Sequence, residues 1–166
     1  MRIKCLEFAG LALALGGCAH APAPAAPCDK PEPVRIALSA TERVNPDDKG
    51  APLATVVRLY QTKGVDKLQL ASFDDMLDHD KEALGDELLA VQEVTINPGE
   101  RAAPPLVRNP DATYFVAVAL FRRPTALTWR AVKKLPAPDP QYCHAQDPAG
   151  RSTIGLGLDE NRIEVR

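Results

Sequence analysis

The sequence has few of the residues that build catalytic or metal sites. Its three histidines are isolated, no serine lies in a glycine-flanked elbow, and no glycine-rich phosphate loop is present. Neighbouring carboxylates occur only at positions that read as turns or helix starts, where backbone capping explains them. We therefore expect a protein that is not an enzyme and that holds no metal and no cofactor.

The sequence also lacks a basic excess and a long apolar run. Twenty basic and 22 acidic residues give a net charge of −2, so nothing indicates nucleic-acid binding. The apolar stretch at residues 6–15 is too short for a bilayer span, which needs about 20 residues. The chain length suits one domain with a single core.

The first residues instead predict an export signal that ends at a lipidation site. Arg2 and Lys4 precede the apolar stretch, and the four residues LGGC follow, ending at Cys18. This pattern predicts that residues 1–17 are removed and that Cys18 receives the acyl chains that anchor the protein. The alternative is an ordinary secretory signal followed by a chance cysteine.

The residues after Cys18 predict a tether and a sorting signal. Alanine and proline dominate residues 18–33, and proline fixes the backbone without offering an N–H donor, so we expect an extended spacer. Ala19 stands where an aspartate would favour the inner membrane in bacterial sorting, so we expect the periplasmic face of the outer membrane. The folded domain is then expected over residues 34–166.

Two cysteines remain once the signal is removed and Cys18 is lipidated. The periplasm is oxidising, so Cys28 and Cys143 are expected to form a disulfide that closes a loop of more than 100 residues. Two open alternatives are a pair of free thiols and a catalytic pair made by Cys143 and His144. The second is disfavoured because adjacent residues usually point apart and no third group is evident.

The pattern of the remaining chain predicts a mainly β protein. Alternating or continuous apolar runs predict strands, and a turn-rich polar segment, residues 41–52, separates the first two. Ser72, followed three residues later by Asp75, predicts a capped helical region over about residues 72–90. Residues 101–110 are proline-rich and read as an edge segment or loop. About seven or eight short strands with one helical insertion favour a β-sandwich. The predicted strands are 34–39, 53–61, 91–96, 113–121, 129–135 and a terminal hairpin at 154–165.

A series of short motifs runs along the chain after the signal. They are VNPD at 44–47, GAPL at 50–53, VRLYQ at 57–61, ASFD at 71–74, DELL at 86–89, NPGE at 97–100, YFVAVALFR at 114–122 and WR at 129–130. In this order, which is more specific than any single motif, they resemble the TssJ family, the outer-membrane lipoproteins of type VI secretion. The resemblance covers nearly all of the chain after the signal.

The resemblance implies a fold, a partner and a binding loop. The implied fold is a transthyretin-like two-sheet β-sandwich with a helical addition. The implied partner is the periplasmic C-terminal region of the inner-membrane protein TssM, within a complex of TssJ, TssM and TssL. The implied contact is the loop between the first two strands, which here comprises Asn45, Pro46, Asp47, Asp48, Lys49 and Gly50.

Two other functions remain as alternatives at this point. A periplasmic carrier or small-ligand-binding lipoprotein with a transthyretin-like shape would need a deep apolar pocket between its sheets. An envelope hydrolase would need a polar cleft with catalytic groups, for which the sequence offers no motif.

Overall fold

The computed structural model describes residues 25–30, 32–146 and 153–166, and within them the chain forms two packed β-sheets. The predicted signal peptide and Cys18 lie outside these residues. Nine strands are present: β1 (Pro33–Ala40), β2 (Thr55–Thr62), β3 (Leu88–Ile96), β4 (Arg101–Ala102), β5 (Pro105–Val107), β6 (Tyr114–Ala119), β7 (Arg130–Lys134), β8 (Thr153–Asp159) and β9 (Arg162–Val165).

The first sheet has the order β4-β1-β8-β9, and β5 also pairs with β1. Strands β1 and β8 run parallel, with Ile36 opposite Ile154 and Leu38 opposite Leu156. The other pairs are antiparallel, including the predicted terminal hairpin of β8 and β9. The proline-rich edge segment is therefore confirmed as two short strands on β1, which raises the strand count to nine.

The second sheet has the order β3-β2-β6-β7 and is antiparallel throughout. The predicted strand at 113–121 is confirmed as β6, and its residues 115–119 are all buried. Burial on both faces explains its continuous apolar sequence, because one face meets the first sheet and the other meets the helical insertion.

The space between the sheets is filled by apolar side chains. Ile36, Leu59, Phe115 and Leu156 are each at most 1% exposed, and they project from both sheets because alternate strand residues share a face. The sandwich fold is confirmed, and among the described residues apolar side chains occupy the space between the sheets where a small-ligand carrier would hold its pocket.

The helical insertion lies on the outer face of the second sheet. It consists of α1 (Asp66–Leu70), α2 (Phe73–Asp78) and α3 (Asp80–Leu84), followed by a 3-10 turn at Gly85–Glu87. The predicted capping box is confirmed, because the hydroxyl of Ser72 accepts from the N–H of Asp75 and the Asp75 carboxylate accepts from the N–H of Ser72.

The helical prediction to residue 90 was too long. Leu88 and Leu89, which lie inside the predicted helical range, instead begin β3. The reason is tertiary, since pairing with β2 outweighs the helix propensity of leucine. Gly85, at a φ of +49°, ends the helical run.

Contacts with the sheet hold the insertion in place. Leu68, Met76 and Leu84 are buried, and the Tyr60 hydroxyl donates to the Asp80 carboxylate at 2.8 Å. Burial is the main cause that raises the pKa of Tyr60 well above its usual value. Phe73 also meets Trp129 edge to face, with ring centroids 5.6 Å apart. No helix among the described residues is long and apolar enough to cross a membrane.

Candidate partner-binding site

Four chain connections meet at one end of the sandwich, which we call the tip. They are the β1–β2 loop (41–54), the β3–β4 connection (97–100), the β6–β7 loop (120–129) and the β8–β9 turn (160–161). Backbone hydrogen bonds join them: the N–H of Asn45 bonds to the carbonyl of Glu160, and the N–H of Gly99 bonds to the carbonyl of Thr41. The predicted binding loop is therefore one part of a larger surface.

Asn45 is a structural residue of this loop rather than an exposed contact. It is 4% exposed and has a φ of +50°, a conformation that asparagine tolerates better than most residues. Its Oδ1 accepts from the N–H of Arg122 at 2.7 Å, and its Nδ2 donates to the carbonyl of Ala54 at 3.3 Å. The side chain thus ties the two ends of its own loop and the β6–β7 loop together.

Asp47 organises the turn that follows. Its Oδ1 accepts from the N–H groups of Ala51 and Lys49, both at 2.8 Å, and its carbonyl accepts from the N–H of Gly50. These donors, Ala51 first, lower the pKa of the Asp47 carboxyl below its usual value because they favour the charged form. Gly50 sits at a φ of +84°, which its missing Cβ permits.

Asp48, Lys49 and Gly50 are the exposed members of the predicted set, while Pro46 is half-buried. Asp48 lies between two arginines of the neighbouring loop, with its Oδ2 2.9 Å from Nη2 of Arg122 and its Oδ1 in contact with Arg123. All three side chains are more than half exposed, so the cluster remains accessible to another molecule. The Lys49 side chain makes no hydrogen bond or ion pair with the described residues.

The β6–β7 loop was missed as part of the site. Residues 122–127 are all exposed, and Leu127 is 61% exposed, which places an apolar side chain beside the charged cluster. In the sequence, Arg122-Arg123-Pro124 indicated only the end of a strand.

A second network joins the β1–β2 loop to the β8–β9 turn. The Thr41 hydroxyl donates to Oδ1 of Asp159 at 2.7 Å, and Arg43 binds both carboxylate oxygens of the same residue at 3.0 and 2.9 Å. The hydroxyl of Thr41 is the largest cause that lowers the pKa of Asp159, and Arg43 adds to it. A polar cleft of about 290 Å³ lies beside this network, lined by Thr125, Thr128 and residues 159–162.

The opposite end of the sandwich, which we call the anchor end, holds the segment expected to be a tether. Cys28 and Cys143 lie in disulfide contact with their Cα atoms 5.9 Å apart. The N–H of Cys28 donates to the carbonyl of Pro140, and the Tyr142 hydroxyl donates to the carbonyl of Lys30 at 2.9 Å. The described residues 25–30 and 32 therefore pack on the domain rather than standing free of it.

A buried ion pair completes the anchor end. Glu32 and Arg108 have side chains 4% and 1% exposed, and their Oε2 and Nη1 atoms lie 3.3 Å apart. Arg108 also donates to the carbonyls of Ala112 and Pro136. In this arrangement Cys143 has no free thiol for the alternative catalytic pair with His144, and neither cysteine offers a thiolate to a metal.

Comparison with known protein families matches residues 32–161 to the type VI secretion lipoproteins, described as VasD, EvfM and TssJ. This chain belongs to that family. The match includes β1 to β8, the whole helical insertion and all four connections of the tip. No curated protein sequence is similar enough to match the chain.

Solved structures with the same fold come from several bacteria. The lipoprotein TssJ1 of Pseudomonas aeruginosa is 24% identical with a TM-score of 0.65, and the match covers 82% of this chain and 97% of that one. The Lip protein of Serratia marcescens, described as a membrane-bound component of the type VI secretion system, is 20% identical with a TM-score of 0.65, over 82% and 96% of the two chains.

A third similar chain comes from a structure described as the T6SS protein TssM C-terminal domain (869–1107) from EAEC. It is 24% identical with a TM-score of 0.65, and the match covers 80% of this chain and 99% of that chain. At these identities the likeness establishes the two-sheet sandwich with its helical insertion for this member of the family.

Proposed function

We propose that this lipoprotein is held by acyl chains on Cys18 at the periplasmic face of the outer membrane and that its tip binds the periplasmic C-terminal region of TssM. The role is structural rather than enzymatic: the domain ties the membrane complex of the secretion system to the outer membrane. The observation that carries the proposal is the match of residues 32–161 to the type VI secretion lipoproteins.

A similar chain supports the choice of partner. One of the matched chains occurs in a structure described as the C-terminal domain of TssM, and another in a structure described as a type VI membrane complex. The second chain is 22% identical with a TM-score of 0.68, over 82% of this chain and 99% of that one. We transfer the partner to this chain on that basis.

The direction of the chain supports the use of the tip. Strand β1 begins at the anchor end and finishes at the tip, and its eight residues span about 25 Å at roughly 3.3 Å per residue. The lipid attachment precedes Cys28 in the sequence. A partner that approaches from the periplasmic side therefore meets the tip, which points away from the anchored end.

The geometry of the tip supports binding with little loss of conformational freedom. Asn45 and Asp47 hold the β1–β2 loop in one conformation before any partner arrives. A preorganised loop loses less entropy on binding than a flexible one. The exposed cluster of Asp48, Arg122 and Arg123 offers charges of both signs, which favours specificity and rapid association over raw affinity.

The test changes exposed tip residues while it spares those that hold the loop. The double substitution Asp48→Arg and Lys49→Glu reverses the exposed charges and keeps Asn45 and Asp47. We expect the mature protein with both changes to lose capture of the periplasmic C-terminal fragment of TssM by at least about tenfold, since like charges brought together at an interface are strongly unfavourable.

A matched control reverses charges far from the tip. Lys133 and Lys134 lie on β7 near the anchor end, so Lys134→Glu should leave capture unchanged. Urea unfolding should show that both variants remain folded. Capture of TssM that is unaffected by the tip substitutions, in a folded protein, would overturn the proposed site.

A further inference from the structure

The free edge of β3 is the longest strand edge without a partner among the described residues. The second sheet ends at β3 on one side and at β7 on the other. Strand β3 has nine residues and pairs only with β2, whereas β7 has five. An unpaired edge presents a row of N–H and C=O groups that another strand can complete.

The register identifies which groups of β3 point outward. The N–H of Leu120 bonds to the carbonyl of Val56, so the backbone groups of Val56 point toward β6. The backbone groups of the next residue along β2, and of every second residue from it, therefore bond to β3. By that alternation, the β3 residues bonded to β2 are Ala90, Gln92 and Val94. The residues whose backbone groups point away from the sheet are Val91, Glu93 and Thr95.

This edge carries almost none of the features that protect a natural strand edge. Its nine residues contain no proline, lysine or arginine, and Glu93 is their one charge. The short edge strand β7, by contrast, has two lysines in five residues. Val91, Glu93 and Thr95 are exposed, and no other described residue hydrogen bonds to their backbone groups.

The surface beside the edge is strongly acidic. Residues 66–93 contain nine aspartates and glutamates and two lysines, a net charge of −7 in a chain whose total is −2. Helices α1 to α3 supply most of these charges and lie on the same face of the sheet as Glu93. Such a surface attracts a basic segment and repels an acidic one.

A cleft next to the edge can receive a side chain of an added strand. It has a volume of about 380 Å³ and is lined by Arg58, Asp80, Lys81, Val91 and Glu93. The Glu93 carboxylate is 57% exposed and lies 3.5 Å from Nε of Arg58, too far for a good hydrogen bond. It is therefore available to a lysine or arginine placed opposite it.

We propose that the edge of β3 binds an extended, basic segment of a protein partner as an added strand. Backbone hydrogen bonds to Val91, Glu93 and Thr95 supply affinity, and basic side chains at alternate positions meet the acidic surface. A second copy of this chain is a poorer occupant, because pairing two β3 edges would bring two acidic surfaces together. This site is separate from the tip and does not depend on the proposed function.

The test uses isotope-labelled mature lipoprotein in detergent micelles and three nine-residue peptides. One alternates lysine with valine, one alternates glutamate with valine, and one is the lysine peptide with proline at two central positions. We expect only the first to shift the amide resonances of Val91, Glu93 and Thr95 and to slow their hydrogen exchange, because it alone has both the charge and the N–H groups.

Two substitutions on the protein sharpen the result. Val91→Pro removes an outward N–H without breaking a bond to β2, and it should weaken the lysine peptide at least about tenfold. Its matched control is Val132→Pro on β7. The carbonyl of Trp129 accepts from the N–H of Ala119 on β6, so by alternation the N–H of Val132 points outward, and the substitution should leave peptide binding unchanged. Glu93→Lys introduces no proline into a strand and so avoids that risk to folding. It should shift the binding preference of the protein from the lysine peptide toward the glutamate peptide.

Three outcomes would overturn the inference. The first is no binding of the lysine peptide at about 1 mM, a weak affinity for any specific contact. The second is binding that shifts only the acidic helices and leaves the β3 amides unprotected. The third is equal binding of the proline-containing peptide, which would show attraction of charge without strand addition. Loss of TssM capture by the tip variant is a separate result and does not bear on strand addition at β3.

Discussion

The Oδ1 atom of Asn45 accepts a hydrogen bond from the backbone N–H of Arg122 at 2.7 Å, across 77 residues of sequence. This contact joins the loop after β1 to the loop after β6, the two most prominent parts of the tip. Because the amide is buried, its loss leaves the N–H of Arg122 without a partner inside the protein. The shape of the proposed binding surface therefore depends on one side chain that no partner needs to touch.

Substitution of Asn45 should destabilise the domain. Asn45→Ala removes the hydrogen bond to the N–H of Arg122 and forces alanine into a positive φ, so we expect a loss of about 2–3 kcal/mol from the two effects together. Asn45→Gly removes only the amide and should be milder by about 1 kcal/mol. Urea unfolding monitored by Trp129 fluorescence measures both. An alanine variant as stable as Lys49→Ala, an exposed control in the same loop, would refute this role.

Acid should weaken the contact between the β1–β2 loop and the β8–β9 turn. The pKa of Asp159 is lowered in the folded protein, so its stabilising effect is present above the unfolded value of about 3.8 and is lost as pH falls through the lower folded value. We expect Asp159→Asn to reduce stability at pH 5 by less than about 1 kcal/mol, because the group is partly exposed. The difference from the unsubstituted protein should shrink near pH 2. An equal difference at both pH values would contradict the assignment.

Removal of the disulfide should destabilise the domain, because the unfolded chain regains the conformational freedom that the bond removes. The bond closes 115 residues of sequence, worth up to about 4–5 kcal/mol in the chain-entropy model. We expect the double substitution Cys28→Ser and Cys143→Ser to lower the midpoint of urea unfolding. Thiol labelling of the unfolded, unreduced mature protein provides the direct check. Labelling of both Cys28 and Cys143 would show that the bond is not formed.

The proposed lipidation of Cys18 predicts the compartment of the protein. Cys18→Ser should yield an unacylated protein in the soluble periplasmic fraction, and secretion should be lost because the domain no longer reaches the outer membrane. Metabolic labelling with a fatty-acid analogue, followed by membrane fractionation, measures this. A variant that still carries label would mean that another residue is acylated.

The β-sandwich could be predicted because its strands keep a regular pattern. Apolar residues alternate in β1 and β8, and β6 is apolar on both faces, as a strand covered on both sides requires. The start of β3 could not be predicted in the same way. Leu88 and Leu89 fit a helix as well as a strand, and only pairing with β2 decides between them.

Turn residues predicted the loop between the first two strands, and the family resemblance alone implied that it binds a partner. Neither could predict which residues of the loop are exposed and which hold its conformation. Asn45 precedes a proline and reads as an exposed turn residue, yet its amide serves contacts with Ala54 and Arg122 that sequence spacing cannot reveal. For the same reason the arginines that hold Asp48 were missed, because they lie 74 and 75 residues away in the chain.

Site-specific photo-crosslinking in cells tests the central claim most directly. A photoreactive amino acid replaces Lys49 at the tip in one strain and Lys134 near the anchor end in another, two exposed lysines at opposite ends of the sandwich. We predict a covalent adduct with TssM from position 49 and none from position 134, recovered in the outer-membrane fraction. Adducts from both positions alike, or from position 134 alone, would contradict the account.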